Sequence, residues 1–339
     1  GLCDLQVNGF AGVDFNDAAL TAEAFDHACA AMLKTGVTTF LPTLITAREG
    51  DLEARFAALD RAVAASRLGS AMAPGYHLEG PFLNPAPGFR GCHPHAAMTA
   101  PDAALVERLA RGLTRPILLV TYAAENDPGL AFARAMTQAG RLVAIGHSDV
   151  DFATVRAAAE AGVSLSTHLG NGLPQQLPKL ANPVFAQLAE DRLAACFIAD
   201  GVHLPREAVG VMIRAKGQSR SILVTDATAG AAAPPGAYTL GSLAIRREAD
   251  GSVRDPATGG LAGAGLTLDE AVRNVVDWGF ASFEEALAMA GAHPRAALAR
   301  VRPAIEAGAV EWSAQRRVVR ARIGATEIAA GSPQDRRMS

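Results

Sequence analysis

The sequence predicts an α/β fold, a (β/α)8 TIM-type barrel, on three observations. Short apolar runs alternate with longer Ala-rich stretches, the pattern of βα units around a parallel sheet. There are eight such runs, the number that closes a barrel of this type. Carboxylates and imidazoles follow many different runs, where a barrel gathers its working side chains. A doubly wound dinucleotide-binding sheet is the rival reading. It is disfavoured because Gln6–Gly9, after the first run, is not a glycine-rich phosphate turn.

In chain order the apolar runs are Leu2–Val7, Thr38–Leu41, Gly75–Leu78, Ile117–Thr121, Leu142–Ile145, Ser164–Thr167, Ala194–Ala199 and Ile222–Thr225. Helical periodicity fills the gaps at Ala22–Leu33, Leu52–Ala65, Asp102–Ala110, Gly129–Ala139, Phe152–Ala161 and Arg206–Ala215, with a shorter helix near Phe185–Glu190. After Asp226 the alternation stops. Ala229–Gly236 reads as a loop and Thr239–Val253 as a hairpin turning at Asp250-Gly251. Leu266–Val276, Phe283–Ala290 and Pro294–Ala299 read as helices of the outer ring. The tail shows one strand-like patch, Arg317–Ile323. Residues 1–300 are therefore read as the barrel, with an insertion near 229–260. Residues 301–339 are read as the remnant of a small β domain, its end, 331–339, disordered. The chain opens directly on a buried-looking strand, which suggests that further residues precede it in the natural protein.

A length of 339 residues suits one barrel with insertions. The net charge of −3 argues against a nucleic-acid footprint or a polybasic membrane surface. No apolar run approaches the roughly 20 residues a membrane helix needs. Cys3, Cys29, Cys92 and Cys196 are scattered without a CxxC pair and read as reduced thiols of a cytoplasmic protein.

The chemistry lies at the ends of the runs. The third ends in His77-Leu78-Glu79 and the fourth leads to Glu125. The fifth ends in Gly146-His147, the sixth in Thr167-His168, and the eighth in Thr225-Asp226. The seventh is followed by Asp200 and His203. One glutamate and two neutral imidazoles make a three-ligand set for a catalytic divalent metal with an open position. Zinc suits such N/O ligands; iron and manganese suit them too. Asp226 stands where it could move a proton for the hydrolytic step.

At these residues the sequence resembles the N-acetylglucosamine-6-phosphate deacetylases of the amidohydrolase superfamily, over roughly Asp4 to Ala297. The resemblance is carried by DLQVNG from Asp4, HLEGPFLNP from His77, GCH at Gly91–His93, GHSD from Gly146 and THLGNGLP from Thr167. ADGVHL from Ala199, VTDATAG from Val224 and LAGAGLTLDEAVRN from Leu261 add to it. It implies that Glu79, His147 and His168 hold one divalent metal, most readily zinc. It implies Asp226 as catalytic acid/base and His93 as the group that polarises the acyl carbonyl. It places Asn171, Gly172 and His203 against the sugar and Leu261, Ala262 and Gly263 along the pocket. The partner implied is an N-acetyl amino sugar, the protein a homodimer.

Departures from the family pattern carry further expectations. Gln6 and Asn8 stand where many amidohydrolases have a His-x-His pair, which favours a single metal. Gly170-Asn171-Gly172-Leu173 replaces a bulkier segment and is expected to open the pocket. Lys179 stands near the place of a phosphate-binding arginine and offers a point charge instead of a fork. The Pro-rich loop around Phe89 reads as a rim over the pocket. Glu125 reads as a structural group, His95 as a surface residue, and His27, His293 and Cys92 as structural.

Overall fold

The computed structural model describes residues 1–330, so the tail at 331–339 lies outside the described residues. Eight parallel strands form one sheet in chain order. They are β1 (Leu2–Val7), β2 (Val37–Ile45), β3 (Tyr76–Glu79), β4 (Ile117–Tyr122), β5 (Leu142–Ile145), β6 (Leu165–Ser166), β7 (Ala194–Ile198) and β8 (Ser221–Val224). Nearly every strand residue is buried, which is why the runs read as continuously apolar rather than alternating. The barrel closes just past the strand ends. Asp226 N donates to Gln6 O (3.1 Å) and Asn8 N to Ala227 O (2.7 Å), pairing the end of β8 with that of β1.

The outer ring contains α1 (Ala22–Lys34), α2 (Glu49–Ala65), α3 (Ala103–Ala110), α4 (Ala131–Gln138), α5 (Phe152–Glu160), α6 (Pro183–Leu188) and α7 (Arg206–Lys216). Side-chain oxygens start several of them. Thr21, Asp102, Asp151 and Asn182 each accept a hydrogen bond from a first-turn N–H. The ring continues with α8 (Leu268–Asp277), α9 (Phe283–Leu287) and α10 (His293–Ala299).

Three details differ from the sequence reading. β2 runs past Pro42 to Ile45; the register with β1 shifts there, and Val7 N donates to Thr43 Oγ1 instead of a carbonyl. A π-turn at Ala288–Ala292 joins α9 to α10, so Gly291 and Pro294 do not break the helix. The insertion is a three-stranded antiparallel sheet, not a single hairpin: β9 (Gly236–Leu240), β10 (Leu243–Arg247) and β11 (Val253–Arg254).

The tail forms three strands where the sequence showed one: β12 (Ala309–Trp312), β13 (Val318–Ile323) and β14 (Thr326–Ala329). It lies at the N-terminal end of β1 and β2. Thr38 Oγ1 donates to Ala307 O (2.8 Å) and Thr39 Oγ1 to Glu306 O (3.2 Å). Val318, Ala321 and Ile323 are buried. Among the described residues, no helix is long and apolar enough to cross a membrane.

Candidate metal centre and active site

Glu79 ends β3, and His147 and His168 each stand just beyond a strand end, after β5 and β6. Parallel neighbours aim all three at the same mouth. One ligand atom from each lies within 4.8 Å of the others, and all three residues are buried. His168 Nε2 is 2.9 Å from Glu79 Oε1, and His147 Nε2 is 3.5 Å from the same oxygen. Burial alone would raise the Glu79 pKa, but contacts from His147 and His168 hold the carboxyl well below its ordinary range. Burial likewise opposes the charged form of His168, yet Glu79 outweighs it and the pKa rises.

The donor set suits a divalent cation. His147 Nδ1 lies 2.6 Å from the Phe89 carbonyl, which can only accept. A proton therefore sits on Nδ1, and Nε2 is the nitrogen on the Glu79 side that the neutral ring can offer to a cation, the arrangement usual for a metal-ligating imidazole. His168 Nδ1 is buried without a partner among the described residues. Cations of this kind bind at such N/O sets.

Holding these side chains in place strains the backbone. His147 has φ 53°, His168 φ 26° and Asp226 φ 53°. Left-handed conformations cost non-glycine residues about 1–2 kcal/mol each. Two glycines let the loops settle on the His147 ring. A Cβ on Gly91 would stand 3.0 Å from its Cε1, and one on Gly172 would stand 2.3 Å from its Nδ1. Gly172 therefore brings the loop down onto His147, where the sequence suggested a more open pocket.

Asp226 faces the group from β8. Its Oδ1 accepts from Gln6 Nε2 (3.0 Å) and from Asn8 Nδ2 (2.7 Å), and no hydrogen bond among the described residues reaches Oδ2. Burial, then the Glu79 charge, pushes its pKa up to about 6. One strand back, Asp4 Oδ2 accepts from Thr225 Oγ1 (2.6 Å), and Asp4 Oδ1 from the N–H groups of Thr225 and Gln6. Asp4 thus braces both the residue before Asp226 and one that holds it. Sequence reasoning missed these roles. Their signal is the alternation Asp4, Gln6, Asn8 along β1 and the residue just past its end.

His93 is buried, with Nδ1 2.9 Å from Thr46 Oγ1 and Nε2 3.8 Å from Glu79 Oε2. Burial pushes its pKa down to about 3, so it is neutral. Phe89 is buried on the rim loop, where its carbonyl, not its ring, meets the site. Glu125 accepts from Asn84, Ser148 and Asp149 N, a structural tie between loops. His95 and His27 are exposed, and His293 Nδ1 lies 2.9 Å from Ser221 O.

The expected sugar contacts divide. Gly263 packs against Asp226 O and Thr228, and Ala262 is buried beside it, next to Leu261. Asn171 spends its side-chain amide on His168 O (3.0 Å). Lys179 is exposed on the loop, and no hydrogen bond or ion pair among the described residues joins its ammonium to the metal group. His203 sits on the turn after β7, tied to Asp200.

No protein-family model matches the chain. It is 34% identical over 307 residues to the N-acetylglucosamine-6-phosphate deacetylase of Bos taurus, covering 87% of this chain and 72% of the relative. It is 32% identical over 293 residues to the N-acetylgalactosamine-6-phosphate deacetylase of Escherichia coli, covering 86% and 75%. Among solved structures, a mutant N-acetyl-D-glucosamine-6-phosphate deacetylase from Mycobacterium smegmatis, in complex with N-acetyl-D-glucosamine-6-phosphate, superposes with a TM-score of 0.85. That pair shares 28% identity and covers 95% and 84% of the two chains.

Proposed function

The chain belongs to the N-acetylglucosamine-6-phosphate deacetylase family, and from that premise we propose that it hydrolyses the acetamide of N-acetyl-D-glucosamine 6-phosphate to the amino sugar phosphate and acetate. One observation carries the reading. A buried carboxylate with one oxygen held and one free, Asp226, stands over a Glu–His–His set that can hold a cation. Glu79, His147 and His168 would hold a single divalent ion, zinc by ligand preference. Such an ion polarises a carbonyl and acidifies water.

The chain's own groups do the rest. Gln6 and Asn8 occupy Asp226 Oδ1, so the proton of the attacking water passes to Oδ2. A pKa of about 6 lets the carboxylate take that proton near neutral pH and return it to the departing nitrogen as the C–N bond breaks. The 2.9 Å contact of Thr46 with His93 is shorter than the 3.4 Å one with Glu79 O. When Thr46 donates along the shorter one to His93 Nδ1, an Nε2–H is left for the acyl oxygen as charge grows on it. Leu261 to Gly263, beside Asp226, line the pocket. Asn171, Gly172, Lys179 and His203 face the sugar from the loops after β6 and β7. Four free thiols fit a reducing compartment, the cytoplasm.

Acetate release from N-acetylglucosamine 6-phosphate, its galactosamine epimer and unphosphorylated N-acetylglucosamine tests the substrate. Activity on the first, with the unphosphorylated sugar poor, is expected; the reverse order would exclude a phosphorylated substrate. Asp226→Asn should lower the rate by roughly a hundred- to ten-thousand-fold with metal still bound. A variant that keeps wild-type turnover would remove Asp226 from the chemistry.

A further inference from the structure

The turn after β7 holds a second carboxylate–imidazole pair, outside the metal group. Asp200 Oδ1 accepts from the N–H groups of Val202 (2.8 Å) and His203 (2.9 Å) and so shapes the turn. Its other oxygen, Oδ2, accepts from His203 Nδ1 at 2.6 Å. The two oxygens have separate tasks. Both side chains are nearly buried, at 7% exposure for His203 and 11% for Asp200. Burial pushes the Asp200 pKa up, but the His203 side chain and the N–H groups of Val202 and His203 together outweigh it and hold the carboxyl below its ordinary value.

An ionised carboxylate can only accept, so the contact dictates where the ring carries its proton. That proton is on Nδ1. In the neutral ring Nε2 then carries the lone pair, and no hydrogen bond among the described residues reaches it. β7 lies between β6, which leads to His168, and β8, which leads to Asp226. The turn therefore stands beside both the metal group and the acid/base. Leu204, next to His203, packs against Gly170 of the neighbouring loop.

We propose that Asp200 is a positioning residue that locks His203 as the Nδ1–H tautomer, so that its bare Nε2 accepts a hydrogen bond from a hydroxyl of the sugar ring. This rests on the amino-sugar reading above. The replacement Asp200→Asn separates the two tasks. An asparagine oxygen still serves the turn, but the amide now donates to Nδ1 and turns Nε2 from acceptor into donor.

The experiment has two arms on the full chain. Histidine labelled with nitrogen-15 reports the tautomer by NMR at pH 8, with His203→Ala assigning the signal. Wild-type protein should show a protonated Nδ1 and Asp200→Asn a protonated Nε2. In steady-state kinetics Asp200→Asn should raise KM roughly 10- to 100-fold with kcat little changed. It should add nothing to His203→Ala, a result a general loosening of the fold would not give. A wild-type Nε2–H tautomer, an unchanged KM or additive effects of the two substitutions would each overturn the proposal. A wild-type protein with the Nδ1–H tautomer that releases no acetate would defeat the amino-sugar reading instead.

Discussion

The two ends of the barrel obey opposite priorities. At the mouth, Glu79, His147, His168 and Asp226 are buried charged or imidazole groups, and three of them sit in left-handed backbone. At the base, Gly1, Thr38 and Thr39 are tied to the tail, and Val318, Ala321 and Ile323 close over apolar neighbours. The base is what a chain does when only stability matters: apolar area is covered and backbone groups are paired. The mouth keeps costly groups because its geometry is useful, and the rest of the fold has to offset them.

The sharpest way to break this contrast is at the metal group. Glu79→Gln should weaken divalent-metal binding at least about 100-fold, read by elemental analysis after dialysis, while the melting temperature of the metal-free protein holds or rises. A metal-free variant much less stable than the metal-free wild type would show that Glu79 serves the fold, not the cation. The base should behave in the opposite way. Ile323→Ala removes a buried side chain and should cost about 2–5 kcal/mol in urea unfolding. Its kcat and metal content should match wild type; a change in either would mean the two ends are coupled.

The smallest effect lies between the ends, at Asp4. Burial raises its pKa to about 7, against an unfolded value of about 3.9. Its neutral form therefore favours the fold. That stabilisation is complete below about pH 4 and is lost as the pH climbs through about 7. Asp4→Asn should remove the dependence and gain on wild type by roughly 1–3 kcal/mol between pH 4 and 8. Parallel stability curves over that range would show that Asp4 is not held neutral by burial.

Much of this was legible in the sequence, for physical reasons. Barrel strands are buried on both faces, so β1 and β5 read at their true bounds. A group such as Asp226 stands out because an apolar run ends on it. The tail was legible in part: β12 and β14 alternate between exposed and half-buried positions, too weak a pattern beside the buried Val318–Ile323. Gly291 and Pro294 looked like helix breakers, because nothing local announces a π-turn. Gln6 and Asn8 were legible as residues that are not histidine, but what they hold comes from a strand 218 and 220 residues away. The Phe89 carbonyl that orients His147 has no sequence signal at all, since every residue owns a carbonyl.

That last contact also ties motion to affinity. The rim loop and the ring beneath it share one short hydrogen bond, so a shift of either costs that contact. A sugar that lifted the Phe89 segment on its way in or out would tug on His147, one of the three groups that could hold a cation. Loosening that segment, for example by a substitution that weakens the contact, should then loosen the cation as well.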